Sequence, residues 1–435
     1  VDYADALEAL DRFVNREAGD RDVTAGRIDG LTTDPVTALL SVLGDPHRAY
    51  RVIHITGTNG KGSVARMVAA LLAEHGLVTG TYTSPHLERV NERIRRDDEP
   101  ISDEDFGELV GDVVDMAVVA GVTPSYFEAL TAGAFSWFAH NGVEVAVVEV
   151  GLLGRFDATN VVDADVAVVT NIGLDHTDGE GDWRAAVAWE KAGIVKPGSF
   201  LVLGEPDPTL LHVFAEAADN GMWVRDQDFG VAGDAVAVGG RVVDLYTPGA
   251  VVEEVFVPLH GHHQADNAAI ALAAVQAFFD RPVDAEVARA AFARVEVPGR
   301  FEVLGHQPLV ILDGAHNPPG AQAAVATLDG EFEVDGRRIL VVGLLADKDT
   351  RAMFEALDVR RADLVVACRP DSPRATPPEE LASVVRSFGV RVDVVPDVAE
   401  AVAHAVGLAT EDDVVLVAGS LYVVGAARTA LRSGT

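Results

Sequence analysis

Two rhythms of apolar positions alternate along this chain. Short, nearly unbroken apolar runs read as strands buried on both faces: Val52-Ile-His-Ile55, Val143 to Val150, Asp165 to Ile172, Leu309–Leu312, Ile339–Val342, Leu364–Ala367, Val392–Val395 and Val414–Val417. Between them lie segments with helical spacing. Tyr3 to Phe13 places Ala6, Leu7, Leu10 and Phe13 on one side, and Asp34-Pro35 opens a second helix to about Leu43. Further helices are expected over Val64 to His75, Ser102 to about Ala120, Phe127 to His140, Trp183 to Val195, Gln264–Phe279 and Ala285–Phe292. In the last third they recur at Pro319–Leu328, Arg351–Leu357, Pro378–Phe388, Val398–Gly407 and Leu421–Leu431. Buried strands alternating with helices predict parallel sheets covered on both faces.

The alternation breaks once. From Phe200 to Pro258 short β-rich runs (Leu201–Leu203, Val236–Val238, Val242–Tyr246, Val251–Val257) are separated by glycines and Asp-rich turns, which predicts a small antiparallel sheet. Val297-Pro-Gly-Arg300 then reads as a linker. The expected architecture is α/β. Residues 1–296 form a P-loop ATPase domain with a mostly parallel sheet plus the small antiparallel one, and residues 301–435 a smaller, doubly wound, Rossmann-like domain. That second domain has no G-x-G-x-x-G opening, so dinucleotide binding is a weak reading of it.

Composition narrows the setting. Apolar residues make up 49% of the 435, enough for full cores, and no run approaches a membrane span. No charged-then-apolar leader opens the chain, and a single cysteine, Cys368, excludes an internal disulfide. A cytoplasmic protein is expected, without membrane attachment. A formal charge of −34 argues against nucleic acid as a partner. Lysine occurs only at positions 61, 191, 196 and 348, against 30 arginines. A position that keeps lysine in such a chain wants a compact point charge rather than a planar fork.

The first of those lysines lies in Gly57-Thr-Asn-Gly-Lys-Gly-Ser63, between a strand and a helix. Such a loop turns backbone N–H groups inward beside a helix N-terminus and suits a phosphate chain. Lys61 reaches for the outer phosphates and Ser63 lies near a magnesium ion. The spelling departs from the standard P-loop string, because Gly62 delays the hydroxyl by one residue.

Other polar residues end buried strands, where ligands of parallel sheets collect. Glu149 and His176 do so, and with Ser84 they offer a carboxylate, an imidazole and a hydroxyl suited to one or two Mg2+ ions beside ATP. For His176, capping a backbone group is an equal alternative. Lys191 sits mid-helix in Glu190-Lys-Ala-Gly193, where an ordinary solvated lysine is the simpler reading on spacing alone. Gly261-His-His-Gln-Ala-Asp-Asn267 either reads an adenine edge or caps a helix. Arg300 is placed at the hinge to close over a transferring phosphoryl group. Asp313, in Asp313-Gly-Ala-His-Asn-Pro318, is either a ligand or a turn-forming Asp-Gly. No Ser/His/Asp triad is evident.

Taken together and in this order, these segments resemble folylpolyglutamate synthase, often bifunctional with dihydrofolate synthase, in the Mur ligase superfamily. The resemblance runs from Tyr3 to about Leu431. It is carried by Gly57–Ser63, Thr83-Ser-Pro-His-Leu87, Tyr126-Phe-Glu128, Glu149-Val-Gly151, Gly154-Arg-Phe-Asp-Ala-Thr-Asn160, Ile172-Gly-Leu-Asp-His176, Glu190–Gly193, Asp313–Pro318, Asp347-Lys-Asp349 and Gly419-Ser-Leu-Tyr422. It implies that Gly57, Thr58, Asn59, Gly60, Lys61, Gly62, Ser63, Asn267, Arg300 and Asp313 bind ATP, with His316 near its phosphates. It implies Ser84 and Glu149 on one magnesium and His176 on a second, with Lys191 carbamylated so that its new carboxylate joins the second ion. Lys61, Lys191, His176, Arg300 and His316 would carry the catalysis. Pro85, His86, Leu87, Phe127, Arg155, Phe156 and Asp157 would line the folate site, and the 25–31 loop would close it.

The implied reaction joins L-glutamate to a folate or to dihydropteroate at the expense of ATP, through an acyl phosphate, in a monomer. Departures flank the folate pocket: Leu153 replaces a usual second glycine, Ser125 a usual threonine, and Asp178-Gly-Glu-Gly181 lacks an aromatic-Leu pair. The competing readings are another Mur-type amide ligase and, in a different class, a nucleotide-driven switch or binding module.

Overall fold

The computed structural model describes residues 2–15, 25, 32–174, 177, 179 and 181–433. His176 and most of the 25–31 loop lie outside the described residues. The first buried run becomes β1 (Arg51–Thr56), the centre of an eight-stranded sheet. Its other strands are β2 (Thr79–Tyr82), β3 (Ile94–Arg96), β4 (Glu99–Pro100), β5 (Val145–Glu149), β6 (Val166–Val169), β7 (Phe200–Leu203) and β8 (Met222–Val224), in the order β4-β3-β2-β5-β1-β6-β7-β8. From β2 to β8 neighbouring strands are parallel, and β3 and β4 fold back as an antiparallel edge. The chain leaves β1 toward β2 on one side and later returns to β6 on the other. The crevice at the carboxyl end of β1 is therefore a topological switch point, where such sheets take ligands.

Helices cover both faces: α1 (Tyr3–Asp11), α2 (Asp34–Val42), α3 (Lys61–Glu74), α4 (Asp103–Ala120), α5 (Tyr126–His140), α6 (Trp183–Ala192), α7 (Leu211–Ala217), α8 (His262–Phe279) and α9 (Ala285–Phe292). The helix expected from Val64 starts three residues earlier, after Gly60 at φ +82°. Lys61, Gly62 and Ser63 thus form its first turn, so their N–H groups face the loop. Val64, Met67, Val68, Leu71 and Leu72 of α3 are fully buried, each worth about 1.5–3 kcal/mol.

The antiparallel sheet is smaller than its sequence region. Only β9 (Gly230–Ala237), β10 (Gly240–Thr247) and β11 (Ala250–Val257) form it. Phe200–Leu203, expected there, belongs to the large parallel sheet beside β6. The small sheet packs through Val243, Leu245, Val252 and Val255 onto α8 and α9, whose alanines let the layers approach closely.

The second sheet begins at β12 (Glu302–His306) and continues with β13 (Leu309–Leu312), β14 (Arg338–Val342), β15 (Leu364–Ala367), β16 (Val392–Val394) and β17 (Val414–Ala418). Its order is β12-β13-β17-β14-β15-β16, parallel except for β12. It is covered by α10 (Pro318–Glu331), α11 (Thr350–Ala356), α12 (Pro378–Ser387), α13 (Val398–Leu408) and α14 (Leu421–Ser433). Cys368 is a buried core residue, and burial pushes its thiol up to about 12. Among the described residues no helix is long and apolar enough to cross a membrane.

Candidate active site

The carboxyl ends of the two sheets face each other across a cleft of about 530 Å3. Thr58 to Ser63, Ser84 and Glu149 line one side, and Asp313, His316 and Ser420 the other, with Arg300 at the junction. Nearly all of the expected nucleotide residues meet here.

The glycine loop is held from several directions. Gly57 has φ +151°, and a Cβ there would stand 1.7 Å from Thr170 Oγ1. The Asn171 amide brackets Asn59, accepting from its N–H at 2.9 Å and donating to its carbonyl at 3.2 Å. Thr170 Oγ1 donates to the same carbonyl. Lys61 Nζ donates to the carbonyls of Gly57 and Thr58, at 3.1 and 3.3 Å. The side chain of Asn59 crosses the cleft to Asn317, which also caps α10 by accepting from Gly320 N–H. Neither Asn171 nor Asn317 stood out as a ligand-loop anchor in the sequence, because an anchor 112 or 258 residues away leaves no local spacing signal.

Glu149 ends β5 and is only 4% exposed. Among the described residues it accepts one hydrogen bond, from Ser84 N–H at 3.1 Å, and forms no ion pair. Burial raises its pKa above the ordinary range, offset only in part by Lys61 and the Ser84 N–H. A buried carboxylate with so little compensation, beside Ser84 in the cleft lining, fits a divalent cation. Gly62 makes the room: a Cβ there would lie 3.5 Å from Glu149 Oε2.

On the opposite side Asp313 accepts N–H groups from Phe301 and Ala315, at 2.9 and 2.8 Å. Burial raises its pKa as well, opposed chiefly by Arg300. Arg300 donates to the Gly314 carbonyl at 3.3 Å, and His316 Nδ1 donates to the same carbonyl at 2.9 Å. On α8, Asn267 and Gln264 line the cleft and are joined by a 3.0 Å hydrogen bond. His263 beside them is held neutral, its pKa lowered to about 4 by burial and then by Arg300. Lys348 and Arg374 also reach the cleft, both paired with Asp347.

Lys191 does not line the cleft. It is buried near the end of α6, packed against the turn at Gly154, where a Cβ would meet Lys191 Cα at 3.2 Å. The expected folate residues divide into two groups. Pro85, His86 and Leu87 line a second cavity of about 260 Å3, next to the cleft. Phe127 stands behind Gly151, at 2.6 Å from where its Cβ would be, and beside Tyr82. Arg155 lies 3.7 Å over the Trp189 ring and donates to the Trp189 carbonyl. Phe156 is partly exposed. Asp157 is committed to the backbone, accepting from Leu152 and Thr159 N–H groups and from the Thr159 hydroxyl. Leu153 adopts φ +56°, a left-handed conformation in which glycine is at home. Its carbonyl accepts from the Thr56 hydroxyl.

Comparison with known proteins agrees with this geometry. Residues 108–275 match the Mur ligase middle domain and residues 299–421 the Mur ligase glutamate ligase domain. The chain is 41% identical to the dihydrofolate synthase/folylpolyglutamate synthase of Mycobacterium tuberculosis, over 93% of this chain and 90% of that protein. The structure of Escherichia coli FolC in complex with DHPP and ADP superposes with a TM-score of 0.87 at 29% identity, covering 100% of this chain and 98% of that one. The bifunctional folylpolyglutamate synthase/dihydrofolate synthase of Yersinia pestis, complexed with AMPPNP and Mn ion, gives 0.84 at 31% identity, covering 99% and 98%. The glycine loop, the buried Glu149 and the glutamate ligase domain across the cleft therefore have one common explanation: the chain belongs to the dihydrofolate synthase/folylpolyglutamate synthase family of Mur ligases.

Proposed function

We propose that this protein is an ATP-dependent ligase that adds L-glutamate to dihydropteroate and to tetrahydrofolates. The observation that carries the mechanism is the cleft itself, where a phosphate loop and a buried metal-type carboxylate face the carboxyl end of a second sheet. The loop N–H groups and Lys61 bind the ATP phosphates. Asn267 and Asp313 hold the nucleoside portion. The γ-phosphoryl group passes to an acceptor carboxylate oxygen, ADP leaves, and an acyl phosphate results. The glutamate nitrogen then attacks the acyl carbon, and the tetrahedral intermediate collapses with loss of phosphate and of the amine proton. Arg300 and His316 stand at the junction to balance charge on the transferring group, so the protein contributes mainly positioning and electrostatics.

Ser84 and Glu149 would hold one Mg2+, and His176 with a carbamylated Lys191 would hold another. Bound there, magnesium neutralises phosphate charge. Pro85, His86, Leu87, Phe127, Arg155 and Phe156 border the acceptor, while Asp157 shapes the Arg155 turn. We place the hinge at 297–300, between residues 1–296 and 301–435. We take the protein to act as a monomer. The −34 charge disfavours nucleic acid, and the single buried cysteine fits a cytoplasmic setting.

An assay with ATP, Mg2+ and labelled glutamate tests this with each acceptor in turn. Labelled dihydrofolate and polyglutamates are expected. Glutamate incorporation into neither acceptor overturns the reading, and ATP hydrolysis without an amide product points to a switch instead.

A further inference from the structure

The second cavity has charges that the proposed mechanism leaves unused. It opens beside the cleft through Gly62, Ser84 and Glu149, and its far wall carries Arg66 and Arg95. Arg66 follows Gly62 by four residues of α3, about 6 Å along the axis and on the same face. Arg95 comes from the edge strand β3.

These two guanidinium groups share one carboxylate. Asp98 is 3.0 Å from Arg66 and 3.6 Å from Arg95, and its side chain is 68% exposed. Arg95 Nε is buried without a hydrogen-bond partner. Arg95 Nη1 donates to the Asp98 carbonyl at 2.6 Å, while burial and then the charge on Arg66 lower the Arg95 pKa, with Asp98 opposing. Glu92 and Glu88, which also line the cavity, are engaged elsewhere. Glu92 accepts the N–H groups of Leu87, Glu88 and Arg89, at 2.8, 3.0 and 2.8 Å. Glu88 is taken by Arg428 and Thr429.

We propose that Arg66 and Arg95 bind the α-carboxylate of the acceptor's own terminal glutamyl residue while its γ-carboxylate reacts beside Glu149. The two carboxyl groups of a glutamyl unit are separated by a three-carbon spacer, and one cavity is lined both by Glu149 and by this arginine pair. At about 260 Å3 the cavity is smaller than the roughly 300–1,000 Å3 that encloses a whole small molecule, which suits an amino-acid-sized end group. Dihydropteroate has no glutamyl residue, so the pair discriminates between the two acceptors. This inference rests on the functional reading above.

Steady-state kinetics on Arg66→Gln and Arg95→Gln, each made separately, test it. KM for tetrahydropteroylglutamate is expected to rise about ten-fold or more, the scale of losing a hydrogen bond to a charged group. KM for glutamate and for dihydropteroate should stay within about two-fold, and Arg95→Lys should recover part of the loss. Dihydropteroate turnover in the same preparation reports that each variant is folded. A rise in KM for glutamate, an equal rise with both acceptors, or no change with either overturns the proposal. Wild-type protein that uses neither acceptor overturns the functional reading instead.

Discussion

Asn59 and Asn317 exchange hydrogen bonds in both directions: Asn59 Nδ2 donates to Asn317 Oδ1 at 3.3 Å, and Asn317 Nδ2 donates to Asn59 Oδ1 at 2.9 Å. One residue lies in the glycine loop and the other caps α10 in the second sheet unit. The substitution Asn317→Ser keeps a good cap and is too short to reach Asn59, whereas Asn317→Ala loses both. Thermal unfolding should show Asn317→Ser near wild type and Asn317→Ala destabilised by about 0.5–2 kcal/mol. Both should raise KM for ATP. An unchanged KM in both would show that the pair does not position the loop.

Glu149 gives a pH-dependent prediction. Its folded pKa is raised, so it contributes stability that is present below its unfolded pKa, about 4.3, and lost as pH rises through the folded value. A cation that binds the ionised form reverses that loss. Mg2+ should therefore raise the Tm of nucleotide-bound protein more at neutral pH than near pH 4.3. In Glu149→Gln that difference should vanish, with the metal-free protein at least as stable as wild type. Differential scanning fluorimetry across pH measures both.

Lys191 is buried on α6, in a chain that uses arginine almost everywhere else. Lys191→Ala should lose at least about 10²-fold in kcat, the scale of removing one preorganised electrostatic group. Added short carboxylates should restore part of it, since they substitute for a carbamate. Lys191→Arg should stay inactive, because a guanidinium does not form a carbamate at neutral pH. Full activity of Lys191→Ala, or rescue by arginine, would remove the carbamate from the mechanism.

Two glycines of one loop should respond differently to the same methyl group. At Gly60, φ +82° and a Cβ 2.5 Å from Asn267 Oδ1 make alanine both strained and crowded. The left-handed backbone alone costs about 1–2 kcal/mol, so Gly60→Ala should lower Tm and ATP affinity together. Gly62 has neither problem, only an ordinary 3.5 Å contact with Glu149 Oε2. Gly62→Ala should keep its Tm and require more magnesium for half-maximal rate. Titration of Mg2+ against rate separates the two.

The parallel sheets were legible because their strands are unbroken apolar runs, and Glu149 and Asp313 were visible as the polar residues that end two of them. The misplaced strand is instructive. Phe200–Leu203 is as apolar as its neighbours, yet the glycine- and Asp-rich sequence after it suggested the antiparallel region. β3, β4 and β12 carry no apolar run at all. Ile94-Arg-Arg96 and Glu99-Pro100 are charged, as suits edges that must not recruit another strand. The site was legible wherever it was local in sequence, as in Gly57–Ser63. It was not legible where partners come from opposite ends of the chain. Asn59 gives no hint of Asn317, and Arg66 gives none of Arg95, which a sheet edge delivers to the same cavity.

Among the described residues, three polar ties join the second sheet unit to the first, each at a different part. The amide pair grips the glycine loop. Arg428 of α14 joins Glu88 of the acceptor-side loop to Glu302. Glu331, at the end of α10, takes Arg241 from β10, together with His260 and the Gly261 N–H. The glycine loop, the segment at Glu88 and the small sheet thus each have a separate tie to the second sheet. A rearrangement that parts the two sheets would have to break all three.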